Sequence, residues 1–344
     1  MKKFLLVLAT TGLVMTGCSQ SEIIGEAPEA QTGKIGFASH VNKGTRALTV
    51  DNFNKFFVYG SYQMPNSETN IQIFNGTEVS KSGNTWTYND TRYWVEGATY
   101  RFAAYGIDGN TLPVGTNANF NSNKDLNLIK YNCAGQQDVV YAKKENIIGK
   151  AEGNSVVDMQ FNHILSRVKF QINNLFPEGY NIRIADFKLI NIRNIGNYYG
   201  EKNSWLNPDG AENEYKEPYR EHSNLEITPS FDGDDNANAN GTITTNFAYV
   251  IPYTYTEANV KISFRVFVTY KKENETTEIF DKTLTASLQP NWIMNHQYLY
   301  KINITGSSAG LDPIEFSGTV NDWNTEENGS DITIDSGELP TEND

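Results

Sequence analysis

The chain has 344 residues, of which 38% are hydrophobic and 12% aromatic, and 28 basic residues stand against 41 acidic ones for a net charge of −13. That length holds roughly two domains of about 150 residues, with enough apolar material for two cores, which excludes a disordered tail protein. Two cysteines close at most one bridge, so a disulfide-stapled scaffold is excluded, and the acidic balance argues against nucleic acid or an anionic membrane surface as a partner through a basic patch.

Residues 1–17 read as a secretory signal peptide, with Lys2 and Lys3 ahead of an apolar stretch from Phe4 to Met15 that is too short, and too abruptly polar afterwards, for a spanning helix. The run Met15-Thr16-Gly17-Cys18 resembles the lipobox of bacterial lipoproteins, which makes Cys18 the expected lipidation site; several acyl chains there meet the need for more than one lipid anchor. Ordinary cleavage with a free Cys18 is the alternative. Residues 18–33 are polar and acidic and read as a tether.

From Lys34 onward the dominant signal is period two in β-branched and aromatic residues, which predicts half-buried strands. In chain order the expected strands begin near Ile35, Phe56, Thr99, Asp138, Val156, Ile164, Ile182, Thr242, Val260, Ile279 and Tyr298. Val260, Ile262, Phe264, Val266 and Val268 share one face, as expected of a strand with one dry side in a two-sheet sandwich. No amphipathic helical run exceeds a few turns, which excludes doubly wound α/β folds and helical solenoids. The fold class is therefore all-β. The expected division is an N-terminal sandwich over 34–153, a C-terminal sandwich over 154–335 and a flexible tail over 336–344, with the boundary in the stretch Glu145 to Asn154. Residues 197–224 and 231–241 read as long polar loops. Asp331 to Asp335 is a short strand in a polar terminus, of the kind that pairs with an exposed edge in its own or another molecule.

Catalytic chemistry is not foreshadowed. His40, His163, His222 and His296 are far apart, with no metal-binding helical pair, nucleophile elbow, phosphate loop or dinucleotide glycine pattern. No catalytic residue, metal or cofactor is expected. His163 and His296 each precede a strand, where a turn or edge hydrogen-bonding role is the default. The ladder Asp232, Asp234, Asn236, Asn238, Asn240 resembles the start of a calcium loop but lacks the glycine at the sixth place and the glutamate at the twelfth, so a solvated hairpin loop is expected. Cys133 reads as a buried, inert thiol. The many aromatics, among them Trp86, Tyr93, Trp94, Trp205, Trp292 and Trp323, fill space between sheets in most β proteins, or could form a glycan-stacking platform.

The ordered set of lipobox Cys18, Ile35-Gly-Phe-Ala-Ser39, Thr45-Arg46-Ala47, Tyr100 to Tyr105, Gln136 to Ala142, Phe161 to Phe170 and Ile314 to Trp323 resembles the fimbrillin-like lipoprotein pilus subunits of Bacteroidetes over almost the whole mature chain. The resemblance implies two tandem transthyretin-like β-sandwich domains behind a lipoprotein signal peptide, on an outer-membrane lipoprotein displayed at the cell surface or in an extracellular fimbrium. It implies a protease cut after an arginine near the first strand, loss of that strand, and filling of the vacated groove by a strand from a neighbouring subunit. In this sequence the cut falls between Arg46 and Ala47, the displaced strand carries Ile35 and Phe37, and the candidate donor strand carries Ile332 and Ile334. Arg46 as a plain surface residue, and 331–335 as a folded-back edge strand, are the other readings. Expected partners are other pilus subunits and a host or bacterial surface receptor or glycan. The competing function is a monomeric, surface-exposed glycan-binding lipoprotein.

Overall fold

The computed structural model describes residues 33–41, 48, 52–83, 85–121, 125–150, 156–206, 225–255, 258–305, 315–322 and 330–333. Cys18, Arg46, Ala47, Trp323 and Ile334 lie outside them. Among the described residues the regular structure is β, with two short 3-10 turns at Asp108–Asn110 and Cys133–Gly135.

The strands are β1 Gly36–Val41, β2 Lys55–Gln63, β3 Asn70–Ser82, β4 Thr85–Thr87, β5 Thr99–Ile107, β6 Asn117–Phe120, β7 Leu126–Asn132, β8 Val139–Ile148, β9 Val156–His163, β10 Ser166–Asn174, β11 Tyr180–Ile192 and β12 Ile195–Tyr199. They continue as β13 Ser204–Leu206, β14 Leu225–Ile227, β15 Asn236–Asn238, β16 Thr242–Thr244, β17 Ala248–Val250, β18 Tyr253–Thr254, β19 Val260–Lys272, β20 Glu275–Leu288, β21 Asn291–Trp292, β22 His296–Ile304, β23 Glu315–Asp322 and β24 Ser330–Thr333.

A seven-stranded sheet runs β1-β9-β8-β5-β2-β3-β4, and its end strands β1 and β4 come back into contact. The sheet thereby curls around a first core that includes Phe37, Phe56, Phe74, Phe102, Val140 and Phe161. Its other face is not left to solvent. Tyr59, Ala103, Tyr105, Val139 and Tyr141 pack against Leu126, Leu128, Tyr131, Tyr198 and Trp205 of the four-stranded sheet β13-β12-β7-β6 in a second core. A third core lies between the sheet β16-β10-β22-β23-β24, with β17 also on β10, and the sheet β14-β11-β19-β20, with β15 also on β11. β19 has the predicted alternation: Val260, Ile262, Phe264, Val266 and Val268 are buried and Lys261 and Arg265 exposed. On its wet face Phe267 is covered by the guanidinium groups of Arg183 and Arg265, 3.8 and 4.6 Å from the ring centre.

Three features depart from the sequence reading. Val156–His163, which a boundary near 153 would hand to the second unit, pairs with β8 and β1 and puts Val157, Met159 and Phe161 into the first core. Residues 195–206, which overlap the start of the expected loop 197–224, form the β12–β13 hairpin, in which Tyr198 pairs with Trp205 and both are buried. Gly200 makes that turn possible, since a Cβ there would lie 2.1 Å from the Tyr141 hydroxyl and 2.5 Å from the Leu126 carbonyl oxygen. The second expected loop contains β15, paired with β11 at Asn181–Asn238.

A candidate strand-exchange groove

Among the described residues β1 is the first strand, and it is an end strand of its sheet. It runs parallel to β9, with Gly36 opposite Val156 and Val41 opposite Phe161. A parallel pair needs a long connection, so this strand is joined to its partner only through most of the first unit. Its N-terminal approach is held on the other side by the segment 92–94. The Ile35 amide donates to the Arg92 carbonyl at 2.9 Å and the Trp94 amide donates to the Gly33 carbonyl at 2.9 Å.

The strand closes the first core with two side chains. Ile35 is 0% and Phe37 5% exposed. The Phe37 ring meets Phe56, Phe74, Tyr88 and Phe102 edge to face, at centroid distances of 6.0, 5.5, 5.7 and 5.8 Å, an arrangement favoured by the ring quadrupoles. The sequence places Ile35 and Phe37 in the strand, and the structure brings both into one groove. Were β1 absent, one backbone edge of β9 would lose its partners and an aromatic pocket would open beside it, which is the pairing template that an added strand satisfies.

Tyr88 fastens the entrance and carries no sequence signal beyond being aromatic. Its hydroxyl donates to the Ile35 carbonyl at 2.7 Å and accepts the Arg92 amide at 3.2 Å. Tyr100, stacked on Phe102, accepts the Val95 amide at 2.7 Å. Burial raises the Tyr88 phenol above its ordinary value and pushes Tyr100 up to about 12. The unfolded chain therefore loses these protons first. The stability they contribute is complete below about pH 10 and falls as pH rises through the folded-state values. We expect the denaturant midpoint to decline as pH rises above about 9, first as the buried Cys133 thiol and then as these phenols lose their protons in the unfolded chain, with Tyr88→Phe making the decline above about pH 10 shallower.

The other expected site residues are placed differently. Ile332 lies in β24, opposite Gly318 of β23, so 330–333 is an end strand of the sheet β16-β10-β22-β23-β24 and is not in the groove. Leu48, just past the expected cut, is buried in the first core, and its amide donates to Asp138 Oδ2 at 3.0 Å. His163 ends β9, fully buried, with Nδ1 2.9 Å from Asp138 Oδ2. His296 opens β22, with Nδ1 2.8 Å from the Met294 carbonyl oxygen in the turn before it. Cys133 is buried, and desolvation pushes its thiol up to about 12. Among the described residues no group of His, Cys, Asp or Glu is placed to hold a metal; Asp232 of the acidic loop instead pairs with Lys169 at 3.3 Å. Of the aromatics named for a glycan platform, Trp94, Trp205 and Trp292 are core residues and Trp86 is half-buried, leaving Tyr93 exposed at 48%.

Residues 45–323 match the family model for fimbrillin-like proteins. No curated protein sequence matches the chain. Among solved structures, a fimbrial protein from Bacteroides vulgatus ATCC 8482 superposes with a TM-score of 0.60 at 15% identity, covering 84% of this chain and 99% of that one. This establishes a shared fold. Weaker likenesses include a candidate cell adhesion protein from Bacteroides uniformis ATCC 8492 (TM-score 0.44, 16% identity, 84% and 98% of the two chains) and a fimbrial assembly protein from Parabacteroides distasonis ATCC 8503 (0.38, 12%, 88% and 99%). With the family pattern running from residue 45 to 323 and the first strand, sheets and cores laid out as above, this chain belongs to the fimbrillin-like family.

Proposed function

We propose that the chain is a structural or accessory subunit, at tip or anchor, of a cell-surface pilus assembled by strand exchange and contributing to adhesion, with lipid on Cys18 holding the precursor in the outer membrane. The observation that carries this is β1: an end strand, attached by one connection, that fills an aromatic groove with Ile35 and Phe37. Family membership supports a pilus-subunit or adhesin role.

The physics of release follows from the tether. Burial of Ile35 and Phe37 contributes on the order of 1.5–3 kcal/mol each, and the ladder adds roughly 0.5–1.5 kcal/mol per hydrogen bond. While the connection to β2 is intact, β1 occupies the groove at an effective concentration of roughly millimolar. A cut between Arg46 and Ala47 makes the same contacts bimolecular. β1 then dilutes away, and a strand of similar pattern from another subunit competes on equal terms. In 331–335, Ile332 and Ile334 repeat the spacing of Ile35 and Phe37, which supports that segment as the donor once it leaves β23. The monomeric glycan-binding reading has less support, because the aromatics it needs are mostly inside the cores.

A chain beginning at Ala47 should be stabilised by a synthetic peptide of residues 33–42, by about 2.7 kcal/mol at a hundredfold excess over Kd. The same peptide with Ile35 and Phe37 replaced by serine should have no effect. Equal stabilisation by both peptides, or by neither, would contradict the proposal.

A further inference from the structure

The Asp138 carboxylate, 1% exposed, lies where β8 begins, beside the end of β9. It receives two donors from parts of the chain remote from each other. The Leu48 amide reaches Oδ2 at 3.0 Å, and His163 Nδ1 stands 2.9 Å from Oδ2 and 3.1 Å from Oδ1. The Asp138 carbonyl oxygen in turn accepts the Asp108 amide at 2.9 Å. Arg167 and Tyr249, each acted on electrostatically by Asp138, lie on β10 and β17. The carboxylate is thus fixed from the sheet side, and Leu48 is attached to it from the connection between β1 and β2.

We propose that Asp138 is a positioning residue: backed by His163, it pins the β1–β2 connection at Leu48, so that a cut upstream frees β1 while Leu48 stays in the core. This rests on reading β1 as the exchangeable strand. It assigns the pin a consequence for specificity. The vacated groove ends at a fixed point, and an incoming strand can replace the β1 segment but cannot extend into the place of Leu48. A hydrogen bond to a charged acceptor in a buried site contributes more than a neutral one, so a single carboxylate suffices to hold the point.

Hydrogen exchange at the Leu48 amide in the full mature chain tests the pin before any cut is made. Asp138→Ala should speed that exchange roughly tenfold or more, with amides of β19 unchanged. Asp138→Asn leaves one acceptor oxygen for two donors and should give a rise of several-fold; it also decides the matter if the alanine variant fails to fold. After cleavage with an arginine-specific protease, an aminopeptidase should stop at Leu48 in the wild type and trim past it, toward Phe53, in Asp138→Ala. Wild-type exchange at Leu48 in both variants, or an unprotected Leu48 in the wild type, would overturn the pin. Absence of cleavage at Arg46 would overturn the processing step instead, and the exchange result would still decide the pin.

Discussion

Phe37→Ala is expected to destabilise the first unit by about 3–5 kcal/mol, the range for removing a buried aromatic ring from a packed core. Four rings surround Phe37 edge to face, and three of them, Phe56, Phe74 and Phe102, are themselves fully buried. They sit on β2, β3 and β5, which are paired to one another in the interior of the sheet and cannot collapse into the space. The cost should therefore lie near the upper end, because the penalty grows with the cavity that remains. It should also be local. β1 is held by one ladder and the Arg92 and Tyr88 contacts, so amides along β9 should exchange faster in this variant while those of β19 do not. Denaturant unfolding with exchange read strand by strand checks both parts. A uniform loss of protection across all three cores would mean that β1 is not a separable element.

Arg167→Ala should cost a comparable amount, about 3–5 kcal/mol. The side chain is 1% exposed. Its Nε and Nη2 both donate to Gln297 Oε1, at 3.2 and 2.7 Å, and its guanidinium stands 4.2 Å from the centre of the Phe247 ring. Burial pulls the group down to about 10, well above neutral pH, so it remains charged. Removing it deprives Asp138 of a compensating charge and leaves Gln297 without two donors. Breaking a buried polar set by deleting one member is costly for that reason. Arg167→Lys should recover only part of the loss, since an ammonium cannot reproduce the planar fork or the stacking on Phe247. Chemical denaturation of the two variants gives the comparison. Equal stability of Arg167→Lys and wild type would show that charge alone matters.

Much of the fold was legible because alternation reports which side of a strand is dry. The runs beginning at Thr99, Val156, Val260 and Tyr298 lie in strands, the run from Ile164 enters one at Ser166, and the buried set of β19 is the predicted one. β11 shows how far such reading goes. Ile182 and Ile184 are buried on one parity, Phe187 and Leu189 on the other, and the change of parity coincides with a register shift between Ala185 and Lys188, with Asp186 at φ 52°. A bulge of that kind is visible in the pattern once the strand is known. Alternation does not report partners. Nothing local ties β1 to β9, so Val156–His163 could be assigned to either unit, and only the pairing decides. The β12–β13 hairpin was hidden because its burial rests on one cross-strand pair, Tyr198 with Trp205, within a polar context. The link of Asp138 to Leu48 and His163 was hidden because three residues distant in sequence share no spacing rule.

The most direct test of the exchangeable strand is to cut a chain of residues 19–344 with an arginine-specific protease and to measure fragment masses and assembly state together. The account predicts one dominant cut between Arg46 and Ala47, loss of the fragment carrying Ile35 and Phe37, and conversion of monomer into ladders that resist SDS. Cleavage at Arg46 with β1 still bound and the product strictly monomeric would contradict it.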